Sequence, residues 1–444
     1  MDEQTMRDLL AQAVAAEPPA GPIAQGALGA GMRLRRRRRI RGSATCVAII
    51  AVIAAAVPLL TGASGRHTTP VQHKNRHSRA AVLYVTNVNA QPGTVTPIST
   101  ATNKAGKPIK LGATPDEMAV TPDGKILYVV DLSSNAVTPV ATATGTAGAS
   151  IMVGLSPDMI TMTPNGKTAY VACQGPSRPG RRPNSPGTEG PGSVVPISTA
   201  TNAAGKPVKV GGRGYEPVIQ AITITPDSRT AYVAAFYLNT VIPITVATDK
   251  PGKPIAVGQR PDAVAVTPDG TTAYVANYAS GTVTPITVAT NTPGRPIKVG
   301  SQPEAIVITP DGKTAYVANN GSGTVTPIST ATNTAGQPIR TGPGAYEMVI
   351  APDGRTLYVL NYGAGTVTPV QTATNRAGQP IRIGRWPDSI VITPNGRTVY
   401  VSRFTNGGTG TVTPISTATN TAGPPIKAGV SPRTLVVAPG TPAR

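Results

Sequence analysis

The chain has 444 residues, with 40 basic against 20 acidic side chains, and only 16 Phe, Trp and Tyr beside 94 Gly and Pro. That length allows either several ordinary domains or one large repeat domain, and a composition poor in aromatics and rich in turn formers argues for many short strands. Two cysteines, Cys46 and Cys173, leave no disulfide framework, and the net charge of +20 favours anionic neighbours.

Residues 5–17 read as a short helix, with Thr5 and Asp8 in capping-box spacing. Seven arginines lie between Arg33 and Arg41, and the apolar run Ala44–Leu60 follows at once. With its flanks, 43–62, the run reaches the length that spans a bilayer. Arginines ahead of it place residues 1–42 in the cytoplasm and everything after it outside. A signal anchor is the favoured reading. A cleaved signal peptide, with a small-residue site at Thr61-Gly62-Ala63, is the alternative. The arginines then serve topology and anionic-lipid contact rather than nucleic acid. Residues 63–80 form a polar linker holding His67, His73 and His77, read as solvated rather than metal-bound for want of Cys or acidic partners.

From residue 81 to 444 one unit of about 42 residues recurs. Its marker is the turn Thr121-Pro122-Asp123-Gly124, followed by Thr163-Pro164-Asn165-Gly166 and by copies at Thr225, Thr267, Thr309, Ala351, Thr393 and Ala438. In the copy over 259–300, Asp262–Thr267, Ala273–Asn277, Thr282–Ile286 and Pro296–Val299 each read as a strand. Four short antiparallel strands per unit, with no helical period, make a propeller blade. Tyr84-Val85-Thr86-Asn87 and the Tyr-Val-Ala-Asn copies at 274 and 316 resemble the YVTN family of β-propeller repeats over about four fifths of the chain. The resemblance implies a β-propeller, often on secreted or cell-surface proteins, and no single activity.

Seven complete units run from about 113 to 429, and residues 82–112 with Leu435–Ala438 supply one more. Pairing the chain ends closes the ring at eight blades, with seven as the alternative. The eight Tyr-Val tyrosines read as core between blades. Each third strand carries a proline, Pro97 and Pro285 among them, which predicts a bulge or early break in pairing there.

The connections between strands 4 and 1 and between strands 2 and 3 share one face, the top, and the Pro-Asp-Gly turns the other. The aromatics outside the Tyr-Val set all fall at the top: Tyr215, Phe236, Tyr237, Tyr278, Tyr346, Tyr362, Trp386 and Phe404. So do Arg178, Arg181 and Arg182 in the Gln174–Gly192 insertion, and Arg213, Arg385 and Arg403. Arginine beside aromatics suits sugars, nucleobases and protein hot spots alike. Five inner strands begin with a carboxylate: Asp116, Asp158, Asp262, Glu304 and Asp388. They form an incomplete acidic ring that could hold a cation, with repeated strand-start capping as the favoured reading.

The leading expectation is a membrane-anchored, extracytoplasmic binding or scaffold propeller without catalysis, cofactor or metal. Its top face would contact an anionic envelope polymer, a glycan or a protein. The alternative is a propeller enzyme, a carboxylate-metal lactonase or hydrolase or a lyase. The repeat region has no histidine, which removes the commonest general base. Nucleic-acid binding ranks third, without a recognition motif and against the expected location.

Overall fold

The computed structural model describes residues 81–90, 92–112, 114–175, 192–210, 218–405 and 408–440. Segments 1–42, 43–62 and 63–80 lie outside them, and no described helix is long and apolar enough to cross a membrane. Among the described residues, apart from one short 3-10 turn, Phe236–Leu238, the regular structure is all strand.

The fourth blade shows the plan. Its inner strand Pro261–Val266 pairs with Thr272–Asn277, and that with Thr282–Thr287. The outermost strand comes in two pieces, Thr292–Pro293 and Ile297–Lys298. Eight such antiparallel sheets form the molecule. In the last, Pro432–Ala438 supplies the inner strand and lies antiparallel to Val82–Asn87, which pairs on its other edge with Thr94–Ser99. The two ends of the chain therefore share one blade, and eight blades close without a free inner edge.

Second strands such as Thr272-Ala-Tyr-Val-Ala-Asn277 are buried almost throughout because both faces are covered. Successive side chains point to opposite faces. Tyr274 and Ala276 join Ile306 and Val317 of the following blade, while Ala273 and Val275 join Tyr232 and Ala234 of the preceding one. Eight clusters of this kind, each shared by two neighbouring blades, make up the core. Ala, Val and Ile, with some Leu and Met and one Tyr per blade, fill them, so few other aromatics are needed.

The tyrosines do more than fill space. Tyr274 Oη donates to Asn333 Oδ1 at 2.6 Å, in the turn between strands 3 and 4 of the next blade. Tyr128, Tyr170, Tyr232, Tyr316, Tyr358 and Tyr400 make the same bond to Asn202, Asp249, Asn291, Asn375, Asn420 and Asn103. Every acceptor sits in the left-handed region, φ 52° to 55°, where Asn and Asp are tolerated. At the eighth joint the acceptor is replaced by Gly145, φ 68°, and Tyr84 Oη reaches only the carbonyl of Thr142, at 3.4 Å.

The third-strand prolines do not disturb pairing with the second strand: the ladder runs unbroken, with Tyr84 opposite Pro97 and Tyr274 opposite Pro285. The expected break falls one strand further out. Pro285 presents its carbonyl outward, where Gly294 N donates to it at 2.7 Å, so its missing N–H also faces outward. The outermost strand is split there into its two pieces. A Cβ on Gly294 would lie 3.1 Å from Pro285 Cγ, which explains why the proline and a glycine recur together.

Candidate ligand-binding face

The top face is built on one repeated device. In every blade the residue just before the inner strand and the residue just after the second strand are joined by a backbone hydrogen bond. Tyr278 N donates to the Arg260 carbonyl at 2.9 Å, Phe404 N to Trp386 at 3.1 Å, Asn320 N to Gln302 at 2.9 Å and Tyr362 N to Gly344 at 2.8 Å. The first member is left-handed at five non-glycine positions: φ is 53° at Ser156, 56° at Arg260, 53° at Gln302, 61° at Trp386 and 55° at Ser431. Non-glycine residues hold that conformation at a cost on the order of 1–3 kcal/mol, and such positions cluster at functional surfaces. The framework thus presents a pair of unlike side chains from each blade. Phe236, Tyr278, Tyr362 and Phe404 all occupy the second member's position, an equivalence that their scatter along the sequence hides.

The pairs gather into groups. Phe236 is not exposed, contrary to the expectation for a contact residue; at 3% exposure it is the floor of its group. Tyr237 meets it edge-on at 5.1 Å, Tyr278 lies 6.3 Å away, and the Arg260 guanidinium sits 5.8 Å from its ring centroid. Beside them a cavity of about 380 Å³ is lined by Arg260, Tyr278, Ser280, Ser301 and Gln302. Half-buried Tyr346 and Tyr362 pair at 6.3 Å. Trp386 is 39% exposed, next to exposed Arg385 and bonded through its carbonyl to half-buried Phe404. Arg403 is half-buried, its Nε donating to Thr411 Oγ1 of the neighbouring third strand at 3.3 Å. Arg178, Arg181, Arg182, Arg213 and Tyr215 lie outside the described residues. At the base of their insertion, Gln174 Nε2 donates to both Asp158 carboxylate oxygens and to the Ile219 carbonyl, each at 2.9 Å.

The carboxylates at the inner-strand starts share another device. Register shifts mark a bulge at that point in all eight blades, and a bulge re-aims the side chain it carries. Asp116, Asp262, Glu304 and Asp388 are buried there and Asp158 half-buried. The cluster also includes two carboxylates that the sequence did not single out, Glu117 and Glu347. Arg433 of the closing blade donates to Asp116 Oδ1. Burial works against the Arg433 charge, but Asp116, then Asp388 and Glu117, outweigh it and hold the guanidinium above its ordinary range. Burial, reinforced by the charges of Glu117 and Asp388, pushes the Glu347 carboxyl well above the usual carboxylate range, although Ile390 N donates to its Oε2 at 3.1 Å. Among the described residues no group of three His, Cys, Asp or Glu side chains is arranged to hold a metal. Burial likewise pushes the Cys173 thiol up to about 12, far from nucleophilic range.

No model of a protein family matches the sequence, and no curated protein does. Solved structures do match in shape. The dihydro-heme d1 dehydrogenase NirN, in complex with DHE, superposes with a TM-score of 0.66 at 14% identity, over 83% of this chain and 77% of that one. A putative 6-phosphogluconolactonase from Bacteroides uniformis gives 0.51 at 16% identity, over 67% and 94%. One from Bacteroides fragilis gives 0.50 at 18% identity, over 71% and 98%. At these identities the likeness shows the fold alone: this chain carries an eight-bladed β-propeller.

Proposed function

We propose that this propeller is a non-catalytic binding or scaffold module of the YVTN type, held at the cell membrane by residues 43–62. In this reading it projects outward and contacts an envelope polymer, a glycan or a protein through its top face. The observation that carries the reading is the contrast between framework and face. Core, latches and lower turns repeat almost unchanged, while the paired top positions differ from blade to blade, placing Arg260 and Tyr278 at a cavity and exposed Trp386 beside Phe404 in another blade. Individual side chains on a uniform scaffold are how binding loops are carried.

The test is a binding screen of the full-length chain against envelope polysaccharides, glycans and envelope protein extracts, repeated with Tyr278→Ala and with Trp386→Gly. A ligand lost by about tenfold or more in either variant supports the reading. Trp386→Gly relieves a left-handed residue but also removes the covered part of its ring, so the two effects oppose each other and stability should change by no more than about 1 kcal/mol. Ligands bound equally by all three proteins would overturn the top-face assignment.

An enzyme is the second reading, favoured by the buried carboxyl of Glu347 and by lactonase-like shape neighbours. Lactone hydrolysis by the intact chain that disappears in Glu347→Gln would establish it in place of the first.

A further inference from the structure

Among the described residues most of the positive charge is not where the aromatic groups are, Arg260, Arg385 and Arg403 excepted. It lies on the circumference. The outermost tracts, 103–110 and its equivalents through 420–427, carry thirteen Lys and Arg side chains, all exposed, against a single acid, Asp249. That acid is engaged by Tyr170 Oη at 2.6 Å. The lower turns are nearly balanced, with Lys125 answered by Asp123 and Lys313 by Asp311. The carboxylates stand at the starts of the inner strands, with Asp116, Asp388 and Glu117 around Arg433. Charge is therefore sorted radially, anionic at the centre and cationic at the rim.

Charges on an edge strand also block sheet-to-sheet pairing, but either sign would serve that purpose, and here all but one are positive. The belt runs over seven consecutive blades, from the second to the closing one. Only the first blade lacks it, showing Met152, 65% exposed, at the matching position.

We propose that the rim is a second binding surface, which takes a flexible acidic polysaccharide running around the disc. A planar anionic membrane meets only a few blades of a ring whose cations point outward in every direction, so most of the belt would be unused. Single-stranded nucleic acid is gripped by stacking on aromatic rings, and no aromatic stands in any outermost tract. A chain of regularly spaced carboxylates needs only point charges, and nine of the thirteen cations are lysine. This surface is separate from the top face, and either can fail without the other.

The experiment measures binding of the full-length chain to polygalacturonate across a salt series. The rim variant carries Lys206, Lys209, Lys250, Lys253, Arg295 and Lys298→Gln. A control removes the same charge from the lower turns, with Lys125, Lys167, Arg229, Lys313, Arg355 and Arg397→Gln. The rim variant should bind about tenfold more weakly or worse, with a shallower dependence of log K on log salt. The lower-turn control and Tyr278→Ala should stay within about twofold of the parent, since charge remote from the belt contributes only a screened background. Should the six-site rim protein fold poorly, Lys206/Lys209→Gln and Lys250/Lys253→Gln give the same loss in steps. Failure of the parent to bind, or equal loss in both six-site variants, overturns the proposal. So does tighter rim-dependent binding to phosphatidylglycerol vesicles or to an oligonucleotide.

Discussion

Tyr274 illustrates what one atom contributes to this ring. Its ring is buried between blades, and its hydroxyl donates across the joint to Asn333 at 2.6 Å. Tyr274→Phe keeps the packing and leaves the acceptor on exposed Asn333 to water, so it should cost about 0.5–1 kcal/mol in denaturant unfolding. Tyr84→Phe, whose hydroxyl has only a 3.4 Å contact, should cost close to nothing. The vacant joint can be completed. A Cβ at Gly145 would meet Ile109 at 3.5 Å, an ordinary contact, and Gly145→Asn supplies both the left-handed residue and the missing acceptor. It should stabilise the protein by about 0.5–1 kcal/mol, and that gain should vanish in a Tyr84→Phe background. The sequence shows the tyrosines as core but not the latch, because the partner of Tyr232 lies 59 residues away, in another unit.

The same residues set an alkaline limit. Burial pushes the hydroxyls of Tyr232, Tyr274, Tyr316, Tyr358 and Tyr400 up to about 12, from 10.0 in the open chain. The native state therefore holds these protons more tightly than the unfolded one. Their contribution is complete below pH 10 and is lost as pH rises through 12. Tyrosinate absorbance and loss of circular dichroism should rise together in that interval. Tyrosine ionisation that precedes unfolding would contradict the latches.

At the scale of the strand, proline and glycine act together. The chain places proline on the third strand, and the geometry turns its missing donor outward, so that only the outermost strand is interrupted. The period and turn residues make four strands per unit legible. They do not show which edge the proline faces, because that depends on the hydrogen-bonding phase of the ladder, not on composition. The bulges under Asp116 and its equivalents are hidden for a related reason: an added residue leaves an apolar-polar pattern readable while turning a side chain to a new direction. Glu117 and Glu347 escaped notice for that reason, and Arg260 because nothing in Gly258-Gln-Arg-Pro261 distinguishes it from the neighbouring units. The acidic residues lead to a further expectation. Glu347→Gln imitates the protonated carboxyl that burial favours. The raised native pKa costs stability increasingly as pH climbs above the unfolded carboxyl value, so the variant should match the parent in acid. It should melt higher than the parent at neutral pH, with a gap that widens as pH rises.

Over the whole molecule, closure is the decisive contact. Eight shared cores leave every blade with two neighbours, so the ring has no terminal repeat of the kind that fraying solenoids must cap. Removal of residues 431–444 deletes the inner strand of the last blade and uncovers Leu83 and Val85, both fully buried in the intact ring. That protein should lose its cooperative melting transition and aggregate, whereas Tyr84→Phe should leave the transition sharp. Eight-fold closure was legible in the repeat arithmetic. The radial sorting of charge was not, since lysines of the outermost tracts and carboxylates of the bulges alternate along the chain.

The blade that holds both chain ends also fixes how the disc answers to force. Val82–Asn87 is the first described strand, and it is hydrogen-bonded along one edge to Thr94–Ser99 and along the other to Pro432–Ala438. A pull delivered through residue 81 along the strand strains both ladders at once and in shear, so their bonds must yield together instead of opening one by one from an end. Mechanically the closing blade is the cleat to which any upstream tether is made fast.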